Sequence, residues 1–188
     1  MKNYLILPAL IAIFFAACRE KKETKQEPLI SALSIIKGQV NKLDASLYAF
    51  IKYDNKNDNK PDTTYLKREE VRKFTEPFLS LPDITDKMNY KKYTEERFID
   101  AQQETLSIIS TLKNGEISEV LKQIMIIDVA DISNGKVQSI FIDRNITSND
   151  STIEQKLFWQ IDRYFTINNT IIKENQPDKT HFTKVAWQ

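Results

Sequence analysis

The feature that most limits what this chain can fold into is a succession of seven short segments after residue 96. They are Arg97 to Ala101, Thr105 to Lys113, Glu119 to Val129, Lys136 to Arg144, Thr152 to Ile161, Tyr164 to Lys173 and His181 to Trp187. Each mixes apolar and polar side chains with a period near two and is bounded by turn-forming residues, the pattern of a strand with one buried face. In the clearest of them Ile153, Gln155, Leu157, Trp159 and Ile161 share one face against Glu154, Lys156, Phe158 and Gln160 on the other. Asn134-Gly135 lies between two segments, and because both residues tolerate positive φ the pair marks a hairpin. Glu95 to Thr111 and Ile117 to Met125 also contain good helix formers, so a helical reading competes for those two stretches.

Upstream the period changes. Leu29, Leu33, Ile36, Val40 and Leu43 recur at steps of three and four, which predicts an amphipathic helix over 29–44 with Pro28 suited to its first turn. The spacing continues through Leu47 and Phe50, yet Ser46 to Tyr53 is rich in aromatic residues and reads better as a strand. A polar loop from Asp54 to Asp62 and a second short strand, Thr63 to Leu66, complete a hairpin. Lys67 to Ser80 carries Val71, Phe74, Phe78 and Leu79 at helical spacing, with Pro77 limiting its last turns and Leu81-Pro82-Asp83 closing it. The expected class is therefore α+β, with two N-terminal amphipathic helices packed on a mainly antiparallel, meandering β-sheet.

The first eighteen residues read as an address. Lys2, an apolar run from Tyr4 to Ala17 and two small residues before a cysteine are the parts of a secretory signal. Phe15-Ala16-Ala17-Cys18 resembles the lipobox of bacterial lipoproteins, and the whole chain resembles an uncharacterised group of them. That resemblance implies cleavage before Cys18, acylation of its thiol and a membrane anchor. An ordinary signal cut elsewhere would leave the only cysteine as a free thiol in an oxidising compartment, a liability that acylation removes. The expected organisation is a signal peptide at 1–17, lipidated Cys18 and a charged tether to residue 28, and one domain over 29–188. Arg19 and Glu20 lack the Asp of inner-membrane retention, so the expected location is the cell envelope, at the outer membrane.

Of the 188 residues 27 are basic and 26 acidic, and loss of the leader removes only Lys2, leaving a formally neutral chain. A nucleic-acid partner needs a positive footprint, which this balance does not provide. Three glycines are too few for a phosphate loop or a dinucleotide fingerprint.

Few residues suggest catalysis. His181 is the only histidine, no G-x-S-x-G motif accompanies it, and no second His or Cys is free to complete a zinc site; it reads as a strand-end surface residue. Carboxylates are numerous but interspersed with lysines, as on solvated faces. The loop Asp54 to Asp62 offers oxygen ligands, but Lys56 and Asn59 break the calcium-loop pattern. Asp62-Thr63-Thr64 and Asp150-Ser151-Thr152 resemble a short acceptor pattern for O-glycosylation in some bacteria, placing Thr63 and Ser151 in expected turns.

The remaining candidates are aromatic: Tyr48, Phe50, Tyr53 and Tyr65 near the loop, and Phe158, Trp159, Tyr164, Phe165, Phe182 and Trp187 in the expected sheet. They build a core or line a surface for a lipid, peptide or glycan. The sequence thus predicts a non-enzymatic, lipid-anchored envelope protein with a protein partner and no cofactor, metal or catalytic residue. The alternative is a carrier or sensor of an apolar ligand in the sheet concavity, and a carboxylate-dependent enzyme comes third.

Overall fold

In the computed structural model the described residues are 30–56, 62–130, 136–148 and 150–188. They form one nine-stranded antiparallel sheet with two helices. Helix α1 spans Ala32–Asp44 and helix α2 spans Arg68–Leu79. The strands are β1 (Phe50–Lys56), β2 (Asp62–Leu66), β3 (Tyr93–Asp100), β4 (Thr105–Leu112), β5 (Val120–Asp128), β6 (Val137–Thr147), β7 (Ser151–Gln160), β8 (Tyr164–Lys173) and β9 (Lys179–Trp187). Strands β3 to β9 lie side by side in chain order, and the β1–β2 hairpin adds to β9, giving the order β2-β1-β9-β8-β7-β6-β5-β4-β3.

Helix α1 starts where Ser31 caps it, its hydroxyl accepting from the Ser34 N–H at 3.1 Å. The Ser31 hydroxyl also donates to Asp83, tying this end to the segment after α2. Ala32, Ile36, Val40 and Leu43 form the buried stripe, while Leu33 is half-buried. The helix does not continue through Leu47 and Phe50. Ser46 caps the Leu43 carbonyl, Leu47 is almost fully exposed, and Phe50 opens β1. Helix α2 buries Val71, Thr75 and Phe78, with Phe74 and Leu79 partly buried against the same core. Asp44 and Arg72 pair the two helices.

Contacts with the helices define an inner face of the sheet. Phe78 meets Trp159 edge-on at 5.0 Å and Phe165 at 5.4 Å, and Trp159 stacks on Phe165 at 5.0 Å. Trp187, Phe50, Val185, Ile140, Met125 and Ile108 extend this cluster across the strands. The alternation read in β7 holds, since Gln155, Leu157 and Trp159 are buried and Glu154 and Lys156 are exposed.

Strand β3 begins four residues before the expected Arg97, at Tyr93. As an edge strand whose middle residues are mostly exposed, it has no buried alternation to reveal it. The helical readings of 95–111 and 117–125 are replaced by β3, β4 and β5, because each pairs along its length with its neighbours. Asn134-Gly135 lies outside the described residues, although the strands it joins pair antiparallel.

Candidate functional site

The sheet register sorts the candidate residues onto two faces. Along the inner face, one row below the apolar core, His181, Asn169, Gln155 and Arg144 stand opposite one another on β9, β8, β7 and β6. Arg144 Nε donates to Gln155 Oε1 at 2.6 Å, and Gln155 Nε2 donates to Asn169 Oδ1 at 2.6 Å. Arg144 Nη1 sits 2.7 Å from Glu119 Oε1 as an ion pair without hydrogen-bond alignment. Burial lowers the Arg144 pKa, and Glu119 opposes that shift. Glu119 is the partly exposed end of the row, with its side chain 38% accessible.

At the other end of the row, His181 Nε2 lies 2.6 Å from Asp54 Oδ1, and Thr183 Oγ1 donates to the same oxygen at 2.9 Å. Lys52 is 3.5 Å from Asp54 Oδ2. Burial penalises the Asp54 carboxylate, but the bonds from Thr183 and His181, with the charges of His181 and Lys52, outweigh it and lower the pKa. Two expectations are corrected here. His181, expected as a strand-end surface residue, is the third residue of β9, half-buried, and the adjacent strand β1 brings Asp54 to it. Asp54, expected to open the polar loop, is a residue of β1 with its oxygens occupied; residues 57–61 lie outside the described residues.

A depression of about 480 Å³ opens beside Glu119. Its walls include Leu112, Ile117, Leu121 and Ile146 together with Glu116, Ser118 and Asn145. Ser118 of this wall is tied to buried Tyr93, whose hydroxyl lies 2.8 Å from the Ser118 hydroxyl and donates to the Val120 carbonyl at 2.7 Å.

The outer face is of a different kind. On β2, β1, β9 and β8 its residues are Thr63 and Tyr65; Ile51, Tyr53 and Asn55; Thr180, Phe182, Lys184 and Ala186; and Tyr164, Thr166, Asn168, Thr170 and Ile172. No carboxylate is among them. Lys184 Nζ lies 4.2 Å from the centre of the Tyr164 ring and 5.9 Å from that of Tyr53. Phe158 of β7 continues the strip, its ring 5.8 Å from Tyr164. Tyr65 is 76% exposed and Phe182 37%. The aromatic residues singled out in the sequence thus divide: Phe50, Trp159, Phe165 and Trp187 are core, whereas Tyr53, Tyr65, Phe158, Tyr164 and Phe182 face outward. The missing signal was the partner strand, since β1 and β9 are adjacent only in the folded sheet.

Thr63 sits on edge strand β2 rather than in a turn, and Ser151 opens β7 with its hydroxyl bonded to Ser148. Cys18 and the tether lie outside the described residues. Among the described residues no group of three or more His, Cys, Asp or Glu could hold a metal, and no helix is long and apolar enough to cross a membrane. Compared with protein-family models, curated proteins and solved structures, the chain matches none.

Proposed function

We propose that this chain is a lipid-anchored component of the cell envelope, held by acylated Cys18 at the outer membrane, that works by binding and not by catalysis. In this reading an α+β domain closes the inner face of its sheet with two helices and presents the outer face to a partner. The observation that carries it is the division of aromatic residues. Rings that fill the core leave a second set outside, gathered around Lys184 on a face where β2, β1, β9 and β8 place no carboxylate. An exposed surface enriched in tyrosine and stripped of acids is what an interface core needs, because Tyr supplies large contact area at low cost in side-chain entropy.

The test is capture of envelope components on the intact lipidated protein and on a Tyr65→Ala/Tyr164→Ala variant. A component retained by the first and lost with the second supports the reading. Identical retention by both would remove the outer face from the function.

The depression beside Glu119 favours the carrier as a second reading, with Leu112, Leu121 and Ile146 as apolar wall. Its polar half and its place at the end of the sheet, away from the filled core, put it second.

A further inference from the structure

We infer that the outer face of β2, β1, β9 and β8 is a platform for an acidic polysaccharide, an inference that rests on the binding role proposed above and names its ligand. Three chemistries coincide there. The first is aromatic: Tyr65 and Tyr164 stand in one row across the sheet, separated by Ile51 and Ala186. Three strand spacings place them roughly 14 Å apart. The electron-rich face of an exposed ring attracts the axial C–H groups of a sugar, and Tyr65, 76% exposed, offers such a face, while Lys184 lies over that of Tyr164 and marks the charged end of the row.

The second is polar but uncharged. Thr63, Thr166 and Thr170 stand beside the rings on the same face, offering donors and acceptors for hydroxyl groups. The third is charge: Lys184 is held between Tyr53 and Tyr164, and the outer face of these four strands holds no carboxylate, with Glu154 of β7 bordering it opposite Thr170. A neutral sugar would leave this cation unused. An anionic bilayer surface would call for a cluster of basic residues, which the face lacks. A uronic or phosphorylated sugar uses all three features at once.

Full-length protein in detergent should bind polygalacturonate, with neutral dextran bound much more weakly. Tyr65→Ala, a change at an exposed edge-strand position, should weaken polygalacturonate binding roughly tenfold, as loss of an aromatic anchor does, while leaving the unfolding midpoint in place. Lys184→Gln should weaken it and also flatten its dependence on salt. Polyglutamate separates a sugar ligand from any polyanion. If polyglutamate binds as well as polygalacturonate, or if Tyr65→Ala leaves the sugar affinity unchanged, the inference is overturned. If polygalacturonate fails while capture of an envelope component still depends on Tyr65 and Tyr164, only the sugar is wrong. If neither depends on these residues, the binding role falls with it.

Discussion

His181 Nε2 and Asp54 Oδ1 lie 2.6 Å apart although 127 residues separate them in the chain. The contact exists because β1 pairs with β9 and sets Asp54 opposite Thr183, two residues along β9 from His181 on the same face. It turns two polar side chains on the inner face into a latch across the seam where the hairpin meets the meander.

That latch predicts a pH response. The pKa of Asp54 is lowered in the fold, so its contribution is complete above the unfolded value of about 3.9 and is lost as pH falls through the folded one. Asp54→Asn should lower the thermal midpoint at neutral pH and flatten its decline on acidification. Melting curves over the acid range test this; a variant that tracks the parent at every pH would show that the contact adds nothing.

The buried row on β6 and β7 predicts non-additivity. Arg144→Met alone strands Gln155 Oε1 in a buried site and should cost about 1–3 kcal/mol. Gln155→Met alone takes the acceptor from Arg144 Nε. Changing both replaces a polar pair by apolar groups, so the double variant should be less damaged than the two single losses added together. Urea denaturation of the four proteins gives the coupling, and strict additivity would contradict the geometry.

Neighbouring positions on β7 should behave oppositely. Trp159 is fully buried against Phe78, Phe165 and Trp187, and Trp159→Ala should cost about 3–5 kcal/mol. Its indole N–H has no hydrogen-bond partner among the described residues, so Trp159→Phe sacrifices no such bond and should be far milder. Phe158 lies on the outer face, half-buried, and Phe158→Ala should cost well under the Trp159→Ala value. Comparable losses at 158 and 159 would mean that the outer face is covered in solution.

Anchoring has its own readout. Cys18→Ala should move the protein from the membrane fraction to the soluble fraction, and retention in the membrane would end the acylation reading.

Local pattern made much of this fold legible. Leu157 and Trp159 announced a strand by alternation, and Ile36, Val40 and Leu43 announced a helix by spacing, because each pattern records a single buried face. Strand β3 was only partly legible: Glu95, Glu96 and Arg97 lie at an edge with little burial to impose a period, so the pattern marks the strand from Arg97 only and helix propensity keeps a rival reading open. The candidate surfaces were less visible still. Tyr53 and Lys184 meet only through β1–β9 pairing, and no local rule announces a partner at that separation. The role of Arg144 was hidden for the same reason, since Gln155 comes from another strand and Glu119 from the segment just before β5.

The pairing of β1 with β9 also orders events in time. Phe50 is placed opposite Trp187, so the hairpin, made earlier in synthesis, has no sheet to join until β9 is available. Such a distant closure is a slow step that the meander from β3 to β8 need not wait for. A chain cut before Lys179 would lose the strand that bridges β8 to β1, and its sheet would fall into two unequal pieces. The carboxyl-terminal nine-residue strand is thus the fastener that makes one molecule of them.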